Sequence, residues 1–221
     1  MERIFDEELK QLRQNILTMA SWVEESIFKS IEALKQRDKS MAETVISSDK
    51  KIDELENKID EFCLDLIALR QPVAQDLRFI TMAMQINSDL ERMADLAVDI
   101  AQRAQEIIAQ PVLKPLIDIP KLAELAQKMV KNGIDAFVNK DADLAKRVVL
   151  SDREADALRD LVHKELIYDY LVKDGSTAPR AVPLLLVARH LERICDHATN
   201  IAEDVIYMIE AKVVRHHPEK L

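Results

Sequence analysis

The chain has 221 residues, of which 48% are hydrophobic and 32% charged, with only 2 glycines and 4% aromatics. So little glycine and so few aromatics exclude a sheet-rich fold with many tight turns and favour long helices. The net charge of -9 argues against a nucleic-acid partner and against electrostatic adhesion to an anionic membrane, because both need a basic patch.

The first residues, Met1-Glu2-Arg3-Ile4-Phe5-Asp6-Glu7-Glu8, do not have the pattern of a secretory leader. The longest apolar stretch, 181–188, contains Pro183 and stops at Arg189, which is too short to span a bilayer. A cytoplasmic protein without membrane insertion is expected. Cys63 and Cys195 lack CxxC spacing and read as buried small apolar residues rather than a disulfide or a metal pair.

In chain order, Leu9, Leu12, Ile16, Met19, Val23, Ile27, Ile31 and Leu34 recur every three or four residues and predict one long amphipathic helix. Arg37-Asp38-Lys39-Ser40 breaks it. A second helix carries Ile52, Leu55, Ile59, Phe62, Leu66 and Leu69 in heptad spacing. It ends before Pro72, since the residue preceding a proline avoids the helical region. A third helix is predicted from about Val73 to Ala109. Pro111, Pro115 and Pro120 then mark a linker.

A fourth helix is predicted from about Pro120 to Val138, ended by Asn139-Lys140-Asp141. A fifth reaches about Val172 and stops at Lys173-Asp174-Gly175-Ser176. The sixth starts near Pro179 and carries Val187, Leu191, Ile194, Ala198, Ile201, Val205 and Met208. The polar tail His216-His217-Pro218 reads as a frayed end. Short loops between long helices force antiparallel neighbours. The expected fold is therefore all-α, two tandem, pseudo-symmetric three-helix bundles at 1–110 and 120–221, joined by a linker at 111–119.

The tandem arrangement is an internal duplication. Arg37-Asp38 matches Lys140-Asp141, Ser48-Asp49 matches Ser151-Asp152, and Asp53-Glu54-Leu55 matches Asp156-Ala157-Leu158. Leu90-Glu91-Arg92-Met93-Ala94-Asp95 matches Leu191-Glu192-Arg193-Ile194-Cys195-Asp196. The offset shrinks slightly between the second and third helices of each half. The difference falls in a loop, where length changes cost little.

At about 100° per residue, Phe79, Met82, Ile86, Leu90, Met93, Ala97 and Ile100 share the core face of the third helix. Asn87, Glu91, Asp95 and Asp99 form a stripe on the opposite side. On the sixth helix Glu192, Asp196, Asn200 and Glu203 are expected to point away from the core. The second helix adds Asp49, Asp53, Glu56 and Asp60, and the fifth adds Asp152 and Asp156. Carboxylates four apart repel by a few tenths of a kcal/mol per pair, roughly, on an isolated helix. A bridging cation reverses that sign, and oxygen ligands suit iron, manganese, magnesium or calcium. A single such stripe reads as a solvated acidic face. The retention of Glu-Arg-x-x-Asp in both halves raises the metal-binding reading beside it. Arg92 and Arg193 are placed to neutralise the stripes.

The strings Gln75-Asp76-Leu77-Arg78-Phe79-Ile80, Ser88-Asp89-Leu90-Glu91-Arg92-Met93-Ala94-Asp95 and Ala188-Arg189-His190-Leu191-Glu192-Arg193-Ile194-Cys195-Asp196-His197-Ala198 resemble the paired signatures of the PhoU family of phosphate-uptake regulators. The resemblance runs over essentially the whole chain. It implies two three-helix bundles and negative regulation of phosphate uptake and of the phosphate-starvation response. It also implies bridging between the ATPase subunit of the phosphate transporter and a sensor histidine kinase, a homodimer, and in some members a multinuclear iron or other metal cluster on each acidic face. Carried onto this chain, the ligands are Glu91, Asp95 and Asp99 with Asp49 and Asp53, and Glu192, Asp196 and Asn200 with Asp152 and Asp156. Asn200 replaces Asp99, so the second site is expected to hold metal less tightly.

Catalysis is not expected. A ferritin-like oxidase would use Glu-x-x-His inside a four-helix core, and neither Glu91 nor Glu192 is followed by His at that spacing. There is no glycine-rich phosphate loop. A metal-free helical adaptor, with the acids serving only as solubilising charge, stands as the alternative. His163 reads as a helix-surface residue, His190 as a partner of nearby acids, and Trp22 as core or bundle-edge packing rather than an interface anchor. Met82, Met84 and Met93 read as gap-fillers.

Overall fold

A computed structural model describes residues 2–212; the tail His216-His217-Pro218 lies outside them. Six helices follow one another: α1 (Glu2–Gln36), α2 (Lys39–Arg70), α3 (Ala74–Ile108), α4 (Asp118–Asn139), α5 (Ala142–Lys164) and α6 (Ala178–Glu210). A π-helical turn, Glu165–Leu171, carries α5 onward almost to Val172. Among the described residues no helix is long and apolar enough to cross a membrane.

The breakers act through identifiable chemistry. Asp38 leaves the helical region and its carboxylate accepts from Met41 N at 3.0 Å, capping α2. Asp141 does the same for α5, accepting from Leu144 N at 2.8 Å. These are duplicated residues at duplicated hairpins. The residues before them, Arg37 and Lys140, take the left-handed conformation with φ of 56° and 53°. Gln71, also left-handed, closes α2 just before Pro72.

The core follows the helical periodicity. Leu12, Ile16, Met19, Val23 and Ile27 of α1, with Ile86, Leu90, Met93, Ala97 and Ile100 of α3, are fully buried. Met82 and Met93 are buried and Met84 packs against the core. The heptad expected on α2 is corrected in part. Ile52, Ile59 and Leu66 are buried, but so is Cys63, while Leu55 and Phe62 are half-buried and Leu69 is 73% exposed. A straight α-helix turns at 3.6 residues rather than 3.5, so a strict seven-residue seam drifts off the core over α2.

Within each half the three helices run up, down and up. Arg70 fastens the end of α2 to the start of α1 through a two-pronged bond to Glu8, at 2.8 and 2.6 Å. Arg37 donates to the carbonyls of Ile108 and Gln110 and so closes the end of α3. The halves then pack on one another, most extensively through α3 against α6, and one continuous apolar core runs through both. Phe79 of α3 stacks on Phe137 of α4, with ring centroids 5.3 Å apart.

The α3–α6 pairing is antiparallel and carries a pseudo-twofold axis. His190 Nδ1 lies 3.7 Å from Asp99 Oδ2, and Asn200 Nδ2 lies 3.4 Å from Asp89 Oδ1. At the spacing that relates Leu90 to Leu191, Asp99 corresponds to Asn200 and His190 to Asp89. Exchanging each residue for its counterpart therefore turns one pair into the other.

Candidate metal centre and the twin acidic faces

The first face is built where α2 lies along α3. Asp49, Asp53, Glu56 and Asp60 come from α2, and Glu91, Asp95 and Asp99 from α3. All except Asp95 are half-buried, and Asp95 is exposed. The carboxylates of the two helices act on one another. Burial raises the Asp49 carboxyl above its ordinary range, and the charges of Asp53 and Asp95 add to the rise. Glu56 is raised by burial and by Asp60, Asp53 and Asp95, with Arg92 working in the opposite direction. Glu91 is pushed up to about 7, by burial first and then by Asp95, Glu56 and Asp53. Asp95 is raised by burial, then by Asp53 and Asp99. Arg92 sits among them as the partial counter-charge expected from the sequence.

The second face is the seam of α5 and α6. Asp152 is raised by burial and by Asp156, with Thr199 Oγ1 placed 3.4 Å from its Oδ1. Asp196 is pushed up to about 6, by burial and then by Glu192, Asp152 and Asp156. A groove of ≈ 550 Å³ opens here, lined by Asp152, Arg193, Asp196, His197, Asn200 and Glu203 among others.

Two residues of the expected outward stripes are corrected. Asn87 is fully buried and donates through Nδ2 to the Glu56 carbonyl at 3.0 Å and to Asp60 Oδ1 at 2.9 Å. It is an internal clip between α3 and α2, because α3 is covered by α1, α2 and α6 on three sides. Glu203 is 9% exposed for the related reason that α6 is also enclosed along much of its length.

Sequence reading missed three residues of consequence. His197 Nδ1 lies 2.8 Å from Asp89 Oδ1, and both side chains are buried, 8% and 9% exposed. This is the one buried His–Asp pair joining the halves among the described residues. Arg159 pairs with Asp156 at 3.0 Å and with Glu192 at 3.5 Å, so α5 and α6 are already bridged by a cationic side chain. By the offset that relates Ser48 to Ser151, Arg159 stands where the first half has Glu56, and His163 where it has Asp60. That offset was a signal available in the sequence. His163 itself is half-buried, with Nε2 3.4 Å from the Leu185 carbonyl. His190 faces an acid as expected, but the acid is Asp99 of the other half.

The two faces therefore differ chemically. The first gathers seven carboxylates against Arg92. The second has Arg159, His163 and Asn200 in place of three of those acids, Glu56, Asp60 and Asp99. A group that fits the first face must be a cation with oxygen ligands. Asp49 Oδ1 is buried there without a hydrogen-bond partner, an acceptor left open beside its acidic neighbours. Three ligands already gathered as a metal cluster do not occur among the described residues. The face has the donor chemistry of a cation site, and its long side chains need rotamer changes to close on an ion.

Comparison with known proteins matches this architecture. The PhoU domain family model covers residues 16–104 and 119–205, once in each half. The phosphate-specific transport system accessory protein PhoU homolog of Aquifex aeolicus is 41% identical over 95% of this chain and 94% of its own length. The Escherichia coli protein named phosphate-specific transport system accessory protein PhoU is 32% identical over 96% of this chain and 88% of its own length. The crystal structure of PhoU from Pseudomonas aeruginosa superposes with a TM-score of 0.91 at 35% identity, covering 94% of this chain and 100% of that one. The phosphate transport system regulatory protein PhoU of Streptococcus pneumoniae superposes at 0.88 with 31% identity over 95% of this chain and 99% of that one. With both halves matched and relatives this similar over nearly their full lengths, the chain belongs to the PhoU family.

Proposed function

We propose that this protein is a negative regulator of phosphate uptake and of the phosphate-starvation response. In this reading it does no chemistry of its own. It works in the cytoplasm, as a homodimer, linking the ATPase subunit of a phosphate transporter to a sensor histidine kinase. Membership of a family whose relatives are named phosphate transport accessory proteins supports the reading. The observation that carries the role of the site is the first acidic face, where α2 and α3 gather seven carboxylates, burial and neighbouring charges raise the proton affinity of Asp49, Glu56, Glu91 and Asp95, and one buried oxygen of Asp49 has no partner.

Such a face is stabilised by a cation. Asp49, Asp53, Glu91, Asp95 and Asp99 would hold it on the first face. Asp152, Asp156, Glu192, Asp196 and Asn200 would hold it more weakly on the second. Iron, manganese, magnesium or calcium each accept such oxygen donors. A bound cation supplies positive charge that joins α2 to α3. The chain's own helices set the spacing of the donors, and Asn87 holds the same two helices in register from inside the bundle. The face so fixed is the docking surface.

Capture of the transporter ATPase subunit by native and Glu91→Ala/Asp95→Ala protein, with manganese and with chelator, tests this. Native protein with manganese is expected to retain the subunit, and the other three conditions to retain much less. Equal capture in all four removes the cation from docking and leaves the adaptor role standing. No capture by native protein in either condition refutes the adaptor role.

A metal-free adaptor is the second reading. It is favoured by the lack of a gathered ligand set among the described residues and by Arg159 bridging Asp156 and Glu192. Elemental analysis of protein purified without chelator or affinity tag separates the two readings.

A further inference from the structure

At the end of the molecule where α1 and α3 finish and α6 begins, the linker folds over a cavity of ≈ 340 Å³. None of its lining residues belongs to either acidic face, and it is independent of the function proposed above. Its walls are apolar: Leu34 of α1, Ile107 of α3, Leu113 and Leu116 of the linker, and Leu184 of α6. Leu34, Ile107 and Leu184 are buried, and Leu113 and Leu116 pack against the core. Both halves of the chain and the segment between them contribute, so anything bound there touches every part of the tandem repeat.

The rim has the opposite character to the rest of the chain. Lys35, Arg37, Lys114 and Arg180 all line the cavity, in a protein whose net charge is -9. Lys35 is paired with Glu32 at 2.5 Å, and Lys114 with Glu165. Among the described residues Arg37 bonds only backbone carbonyls, those of Ile107, Ile108 and Gln110. Arg180 makes no ion pair among the described residues; the Asp174 carboxyl, held below its ordinary range first by Ser176, is lowered further by the Arg180 charge. Among the described residues, these two guanidinium groups beside an apolar chamber of small-ligand size are neither hydrogen-bonded to nor ion-paired with a carboxylate. A largely apolar pocket with a few convergent polar groups is the usual form of a small-molecule site. Guanidinium groups recognise carboxylate and phosphate oxygens in particular.

We propose that this cavity binds a small amphipathic organic anion, its apolar body against Leu113, Leu116 and Leu184 and its charged head at Arg180 and Arg37. Charge complementarity selects an anion over a neutral apolar molecule. Chamber size selects a short-chain organic acid over a long lipid tail. Occupation ties the ends of α1 and α3 to the start of α6 through the linker, and so adjusts how the two halves sit on one another.

Octanoate is the probe, with 1-octanol as its uncharged counterpart. Calorimetric titration of the native chain is expected to give one saturable octanoate site, with octanol at least tenfold weaker. Amide shifts on binding are expected at Ile107, Leu113, Leu116 and Leu184. Arg180→Glu, a half-exposed position, is expected to weaken octanoate at least tenfold and leave octanol unchanged. Val112→Trp, on the exposed linker at the cavity wall, is expected to weaken both ligands while thermal unfolding stays native-like, and it stands in if Arg180→Glu does not fold. No saturable octanoate site, equal binding of octanol, or shifts spread over the acidic faces instead of the cavity would each overturn the proposal.

Discussion

The Asp89–His197 pair gives the most direct test of how the two halves hold together. Both side chains are nearly enclosed, and their 2.8 Å contact joins α3 to α6 at the interface with the pseudo-twofold axis. Asp89→Ala removes the acceptor from His197 and the longer 3.4 Å contact from Asn200. A buried polar group left without its partner costs about 1–3 kcal/mol, and more where charge is involved. For Asp89→Ala we expect about 2–3 kcal/mol, which for a chain of this size lowers the melting temperature by roughly 5–10 °C. His197→Leu installs the residue type that the first half carries at the matching position, Leu96. It leaves Asp89 buried without its ring partner and is expected to cost about 2 kcal/mol. In the double variant neither group is stranded, so the two losses are expected to fall short of additive by about 1–3 kcal/mol. Urea unfolding followed by circular dichroism measures all four proteins. Additivity within about 0.5 kcal/mol would refute the claim that this bond couples the halves.

Three further outcomes follow from the geometry. Glu91 has a folded pKa of about 7 against an ordinary 4.5, and Asp196 about 6 against 3.8. The folded state thus holds more protons than the unfolded one between those values, and stability contributed by these groups falls as pH rises, from 3.8 to about 6 for Asp196 and from 4.5 to about 7 for Glu91, and then levels. Melting temperatures across that window should fall less steeply for Glu91→Gln than for native protein; parallel curves would contradict the assignment. A methyl group built on Gly133, inside α4, meets Ile201 Cγ2 at 3.5 Å and the Ala198 carbonyl at 3.6 Å, ordinary contact distances. Gly133→Ala should therefore stabilise the protein by roughly 0.5–1 kcal/mol in the same urea assay. Asn87→Ala removes the clip between α3 and α2 and is expected to cost about 1–3 kcal/mol, with a loss of amide-exchange protection concentrated on α2.

The helices themselves were legible because helix formation is signalled locally. A 3.6-residue period, an Asp ready to cap and a proline that forbids the preceding helical turn each act over a few residues. The duplication was legible for the same reason, and it located Glu91 with Asp95 and Glu192 with Asp196 on corresponding turns. The wheel failed at Asn87 and Glu203, where it assumed a single buried face. On helices packed against three neighbours a polar residue opposite the main core still finds itself inside.

From the amino-acid sequence alone come six helices, their breaks, a twofold repeat and two acidic stripes, all set by residues near one another in the chain. Only the tertiary structure decided that α3 and α6 lie antiparallel, that Asp89 meets His197 across 108 positions of sequence, and that Arg159 bridges Asp156 and Glu192 on the second face. It alone decided that the linker roofs an apolar chamber rimmed by arginines. Those relations depend on how buried surfaces of distant helices fit together, and side-chain packing between remote segments leaves no periodic trace in a single chain.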